Sequence, residues 1–127
     1  MQALLPLIKK AAAANADKPL GLKRGAILNI SSTLGSVADS GPKGMYWAYS
    51  ESKAALNSAT RSLSKNVKEF GILALVLHPG WVKTDMGGPK APTTTDESAT
   101  GLLNIFYNLS EKNNDSFVGW DGKIIPW

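Results

Sequence analysis

Apolar side chains along this chain recur in two alternating rhythms. Over residues 2–14 they fall at Leu4, Leu5, Ile8 and Ala11–Ala13, the spacing of one helix face, with Pro6 sitting awkwardly inside the pattern. Asn15–Gly25 is polar, punctuated by Pro19, Gly21 and Gly25, and reads as a connection. Ala26–Ile30 is a short continuous apolar run closing on Ser31-Ser32-Thr33, the pattern of a buried strand. Gly35–Gly44 is a loop. From Tyr46 to Phe70 the helical rhythm returns, with Ala55, Leu56, Ala59, Leu63, Val67 and Phe70 along one stripe and Gly71 as its stop. Ile72–Leu77 is a second buried strand, broken at His78-Pro79-Gly80. After a second polar loop, a helix capped by Thr95 or Asp96 runs through Leu102, Leu103, Phe106 and Leu109. Phe117–Trp120 is a last short strand, followed by a turn at Asp121-Gly122.

Helix and strand thus alternate, which predicts an α/β fold with a parallel sheet and helical crossovers. In open sheets of this kind ligands bind beyond the carboxyl ends of the strands. The loops after Ile30 and after Leu77 leave from such ends, so the chemistry is expected there.

Composition narrows that chemistry. At 127 residues the chain has room for one small domain. The absence of cysteine removes disulfides, thiolate metal sites and a cysteine nucleophile. The single histidine, His78, leaves no cluster for a metal. The net charge of +4 is carried by dispersed lysines with only Arg24 and Arg61 as arginines, a solvated surface rather than a nucleic-acid face. No stretch approaches the roughly 20 apolar residues of a membrane span. Met1–Ala16 lacks the positive start of a signal peptide, and Lys9-Lys10 interrupts its apolar run. The expected location is the cytoplasm, with no membrane partner and the sequons at Asn29, Asn108 and Asn114 unused.

The residues near the two strand ends include one suggestive pair. Tyr49 and Lys53, four residues apart, share one face at the start of the long helix. A phenol has an ordinary pKa near 10, so at neutral pH it is a poor base; an ammonium beside a phenolate stabilises it and eases proton exchange with a substrate oxygen. A serine hydroxyl alongside can hold that oxygen, and hydride for a reduction has to come from a cofactor. Taken singly, each piece also has a plain structural reading. Tyr49 and Lys53 are then an exposed helical pair, Ser31 and Ser32 a strand end, Pro79-Gly80 a turn and His78 a satisfied histidine beside it. Ser50-x-x-Lys53 and Ser62-x-x-Lys65 match the Ser-x-x-Lys of β-lactamases, but the accompanying Ser-Asp-Asn and Lys-Thr-Gly elements are absent.

The joint order of these pieces resembles the short-chain dehydrogenase/reductase family. The residues that carry the resemblance are Ile27-Leu28-Asn29-Ile30-Ser31-Ser32 with Gly35, Tyr49-Ser50-Glu51-Ser52-Lys53-Ala54-Ala55-Leu56-Asn57, and His78-Pro79-Gly80-Trp81-Val82-Lys83-Thr84-Asp85-Met86. The last block, with Phe117-Val118, Asp121-Gly122 and Pro126-Trp127, is most similar to the sniffer and C-factor-like carbonyl reductase branch. The resemblance implies that Ser32 binds the carbonyl oxygen, that Tyr49 is the proton donor or acceptor, and that Lys53 stabilises its phenolate and contacts the nicotinamide ribose. It assigns Pro79, Gly80, Val82 and Thr84 to the nicotinamide side. Ser31 and Tyr46 are decoys, since Tyr46 has Ser50 rather than lysine four residues on.

The pattern departs from the family in one respect. The glycine-rich turn that meets a dinucleotide's pyrophosphate at a helix N-terminus is not found; Gly21-x-x-x-Gly25 precedes a strand and lacks a third glycine. Nor is the family's Asn-Ala-Gly segment found, and its active-site Asn is expected upstream of Met1. Residues 1–127 are therefore expected to be one partial domain, the C-terminal half of a truncated Rossmann-like sheet that opens in mid-helix and leaves an unpaired edge. The function implied is NADP(H)-dependent reduction of a small-molecule carbonyl, with NAD not excluded, and with little activity in this chain alone. Helix 46–70 is expected to form a homo-oligomer. The alternative is a non-catalytic truncated product that uses that helix as a dimerisation module.

Overall fold

Three parallel strands in the order β1-β2-β3 form the centre, with helices on both faces. The computed structural model describes residues 3–39 and 46–127. In chain order the elements are α1 (Leu5–Ala14), β1 (Ala26–Ile30), a 3-10 turn (Thr33–Gly35), α2 (Trp47–Lys68), β2 (Leu73–His78), α3 (Thr95–Tyr107), a second 3-10 turn (Glu111–Asn113) and β3 (Phe117–Gly119). The helix expected from residue 2 and the loop expected to Gly44 reach partly outside the described residues. Among the described residues no helix is long and apolar enough to cross a membrane.

The strands alternate their side chains between two cores. Leu73, Leu75 and Leu77 of β2 are fully buried against Leu102, Ile105 and Phe106 of α3. Full burial of a leucine is worth roughly 1.5–3 kcal/mol, so this row is the strongest single support of the sheet. The opposite face places Ile72, Ala74 and Ile27 against Ala12 of α1 and Val67 of α2. β2 is sealed on both faces, whereas β1 is paired only to β2 among the described residues, with Ile30 44% exposed. Among the described residues one edge of β1 has no partner, and the strand is partly exposed where the sequence pattern predicts burial.

Three sequence expectations need correction. Pro6 is the second residue of α1, in the first turn, where no helical N–H is required of it. The cap of α3 is Thr94 rather than Thr95 or Asp96: its hydroxyl accepts Glu97 N–H at 3.2 Å while the Glu97 carboxylate accepts Thr94 N–H at 2.7 Å. The inward face of α2 holds only part of the expected apolar stripe: Val67 is buried and Leu63 packs beside it, but Asn57, Thr60 and Ser64 fill the rest, Ala55 and Ala59 face solvent, and Phe70 lies under the Lys9 ammonium. The reason lies on the sheet. β1 presents Asn29 toward α2, and its amide donates to Thr60 Oγ1 at 2.8 Å, so hydrogen bonds set this helix face. α2 ends in a Schellman-type turn, with Gly71 N–H bonded to Lys68 O and Ile72 N–H to Val67 O.

Candidate active site

The carboxyl end of β1 divides its two serines. Ser31 continues the ladder through its N–H to Leu77 O at 2.7 Å, and its buried hydroxyl lies 3.5 Å from Lys53 O on α2. Ser32 leaves the strand and caps the 3-10 turn, its Oγ accepting Leu34 N–H at 3.2 Å. A hydroxyl that accepts an amide keeps its own proton to donate, which is what holding a carbonyl oxygen requires. Gly35 then lies against α2 so closely that a Cβ would stand 2.7 Å from the Lys53 carbonyl carbon. Asn57 Nδ2 donates to Gly35 O at 3.0 Å, latching the turn to the helix.

The first turns of α2 carry Tyr49 and Lys53 to the same strand end. Lys53 Nζ donates to Ile30 O at 3.2 Å and lies 5.5 Å from the centroid of the Tyr49 ring. Tyr49 is 37% exposed, at the site's open side. Tyr46 is the helix cap, in the left-handed region at φ 70°, and is mostly exposed. Lys53 thus joins α2 to the end of β1, two residues before Ser32, and carries the Tyr49 ring beside it on the open side.

The end of β2 lies alongside. His78 Nδ1 accepts Thr33 N–H at 3.4 Å, linking this strand end to the residue after Ser32. Burial holds the His78 pKa below its ordinary value, partly opposed by the negative charge of Asp121. Pro79 O accepts the Ser98 hydroxyl of α3 at 2.6 Å. Gly80 adopts φ +92° against Trp120, where a Cβ would meet the indole nitrogen at 2.7 Å. Val82 forms a parallel bridge with Thr93. Thr84 is drawn into its own turn, its hydroxyl accepting Gly87 N–H at 3.1 Å and donating to Val82 O at 3.4 Å. Pro79 and Gly80 therefore stand at the strand ends with Ser32, while Thr84 lies further out in a loop whose hydroxyl is already engaged.

Asn57, Ser98 and Trp120 pack around these strand ends and were given no role in the sequence reading, although Asn57 closes one of the blocks that carry the resemblance. Asn57 had a readable signal: Lys53, Asn57, Thr60 and Ser64 are polar residues at helical spacing. A separate open groove between α3 and the Trp120–Gly122 turn, lined by Asn104, Asn108, Lys112 and Trp120, includes neither Ser32, Tyr49 nor Lys53.

Comparison with known proteins bears on this arrangement. A family model described as short chain dehydrogenase matches residues 7–95. The carbonyl reductase Sniffer of D. melanogaster superposes with a TM-score of 0.94 at 47% identity, covering 99% of this chain and 50% of that one. An NADPH-bound carbonyl reductase from chicken fatty liver gives 0.89 at 46% identity, again over 99% and 50%. The C-signal protein of Myxococcus xanthus is 40% identical over 110 residues, 84% of this chain and 66% of its own length. This chain spans about half the length of those two solved reductases.

Proposed function

The chain belongs to the short-chain dehydrogenase/reductase family, and on that premise we propose that it carries the catalytic half of an NADPH-dependent carbonyl reductase site. The observation that supports this reading best is Lys53, bonded to the last carbonyl of β1 just ahead of Ser32 with the Tyr49 ring centroid 5.5 Å from its ammonium. The Ser32 hydroxyl donates to the oxygen of a small carbonyl substrate and fixes it. Tyr49 passes its phenolic proton to that oxygen as negative charge develops there. The Lys53 ammonium, already oriented by Ile30 O, favours the phenolate left behind through its charge. In the oxidative direction the same proton moves back to Tyr49.

The donor set fits one end of a nicotinamide dinucleotide. Lys53 has protons beyond the one given to Ile30 O for a ribose hydroxyl, and Pro79, Gly80 and Val82 offer a backbone-lined, largely apolar wall for the ring. Thr84 would have to release its turn to contribute. When bound, the reduced nicotinamide supplies the hydride. Among the described residues no glycine-rich strand-to-helix turn is available for the pyrophosphate, which supports the reading of residues 1–127 as one partial domain with little affinity for NADPH alone. NADP rather than NAD is favoured by the NADPH-bound relative. The cytoplasm remains the compartment expected from the sequence.

The test is a chimera in which the half of Drosophila Sniffer that this chain does not cover is joined ahead of it. It is expected to oxidise NADPH in the presence of an aromatic aldehyde, and Tyr49→Phe is expected to lower that rate by about a thousandfold. A rate that survives Tyr49→Phe refutes the reading.

The solvent side of α2 supports a second role for this chain, self-association. Trp47 is 71% exposed at the start of α2, and the exposed Ala55 and Ala59 offer small side chains further along the helix. A dimer through helix 46–70 forms without cofactor, and size-exclusion chromatography is expected to show it. Trp47→Lys is expected to shift it to monomer; a chain that is monomeric at all concentrations refutes this role.

A further inference from the structure

The loop beyond Ser32 is held by residues from the far end of the sequence. Ser36 is buried, and its hydroxyl donates to Pro126 O at 2.7 Å while accepting Asp39 N–H at 2.9 Å. Ala38 N–H donates to Trp127 O at 2.9 Å. The Trp127 indole stands beside Phe117 of β3, ring centroids 5.9 Å apart, with the Arg61 guanidinium of α2 over it at 5.3 Å. Phe117 is fully buried, and its carbonyl accepts Ile125 N–H at 2.8 Å. Residues 125–127 are therefore fastened to β3 and α2 through an aromatic ring, and two of their carbonyls reach the segment that follows Ser32.

We propose that Ile125–Trp127 is a strap that positions the Ser32 loop, with Trp127 as its anchor. The proposal rests on the reading of Ser32 as the group that holds the substrate oxygen. The turn after Ser32 has two supports of different kinds. On one side Gly35 and Asn57 lock it to α2 at the level of Lys53. On the other, Ser36 and Ala38 depend on carbonyls whose place is set by the indole. Loss of the indole leaves the first support and removes the second, so the loop gains freedom just beyond the hydroxyl whose direction matters. The anchor needs an aromatic face for Arg61 and a flat partner for Phe117, which phenylalanine also offers. Trp127 is thus a positioning residue and touches no substrate.

Hydrogen exchange on the 127-residue chain tests the strap without turnover. Trp127→Ala is expected to speed exchange of the amides of residues 33–39 about tenfold and leave those of Leu73–His78 within about twofold. Trp127→Phe is expected to restore most of the protection. In the chimera with the upstream half of Sniffer, Trp127→Ala is expected to lower kcat about tenfold with the KM for NADPH unchanged. Unchanged exchange at 33–39 overturns the strap. So does a loss of protection that extends equally through β2 and is not relieved by Trp127→Phe. A loosened loop with kcat intact overturns the positioning role. Because the exchange comparison needs no catalysis, a chimera that stays active after Tyr49→Phe refutes the catalytic reading while the strap is judged on exchange alone.

Discussion

β2 is bonded on both sides and its residues Leu73–Leu77 are fully buried, whereas β1 is bonded on one side and ends in an Ile30 that is 44% exposed. The site gathers around the end of the weaker strand. Ser32 follows β1 directly, and Lys53 grips the carbonyl of the exposed Ile30. Rigidity there comes from outside the sheet: Asn57 on α2, His78 at the end of β2, and the carbonyls of Pro126 and Trp127. A strand bonded on one side among the described residues can still be followed by a fixed loop when other elements hold the loop itself.

The contrast can be broken most forcefully by giving β1 a second neighbour. Joining the upstream half of Sniffer is expected to tighten NADPH binding at least a hundredfold, from weaker than about 1 mM for this chain alone to micromolar, as read by tryptophan fluorescence. Micromolar binding by the unjoined chain removes the reading of the β1 edge as the boundary of an incomplete site. Next in size is the difference between the strands themselves. Leu75→Ala in β2 is expected to cost about 3 kcal/mol in urea denaturation, and Leu28→Ala in β1 about 1 kcal/mol, because only the first leaves a closed cavity. Equal losses contradict the account of β1 as an edge.

The smallest effect expected is a pH dependence. His78 is held neutral by burial, so its folded pKa lies below the ordinary value near 6.5. As pH falls through 6.5 the unfolded chain takes up the proton first, and stability drops until the folded ring also titrates. Protonation also removes the lone pair that accepts Thr33 N–H. The urea midpoint is expected to fall between pH 7 and pH 5, and His78→Gln is expected to flatten that slope. A parent slope no steeper than that of His78→Gln contradicts the assignment.

Much of the frame was legible in the sequence. The apolar runs at 26–30 and 72–77 marked two parallel strands, and the structure places the blocks around Ser32 and Pro79 at the carboxyl ends of those strands. The inward face of α2 was legible only at Leu63 and Val67; Asn57, Thr60 and Ser64 are buried for their hydrogen bonds, which hydrophobic spacing does not register although their helical spacing was there to be read. The cap at Thr94 was missed by one residue, although Thr94 and Glu97 have the spacing of a capping box. The strap was beyond reach for another reason. Ser36 and Pro126 lie 90 residues apart, and a terminal Pro-Trp has no periodic pattern to betray its partner.

The most direct test of the account follows the hydrogen itself. The chimera is incubated with NADPH deuterated at the transferable position of carbon 4 and an aromatic ketone, and the alcohol is examined by mass spectrometry. The account predicts that the parent sequence forms alcohol with one deuterium on the carbinol carbon, and that Tyr49→Phe forms about a thousandfold less of the same labelled alcohol in the same time. Equal amounts of labelled alcohol from parent and Tyr49→Phe, or alcohol without deuterium from the parent, would contradict it.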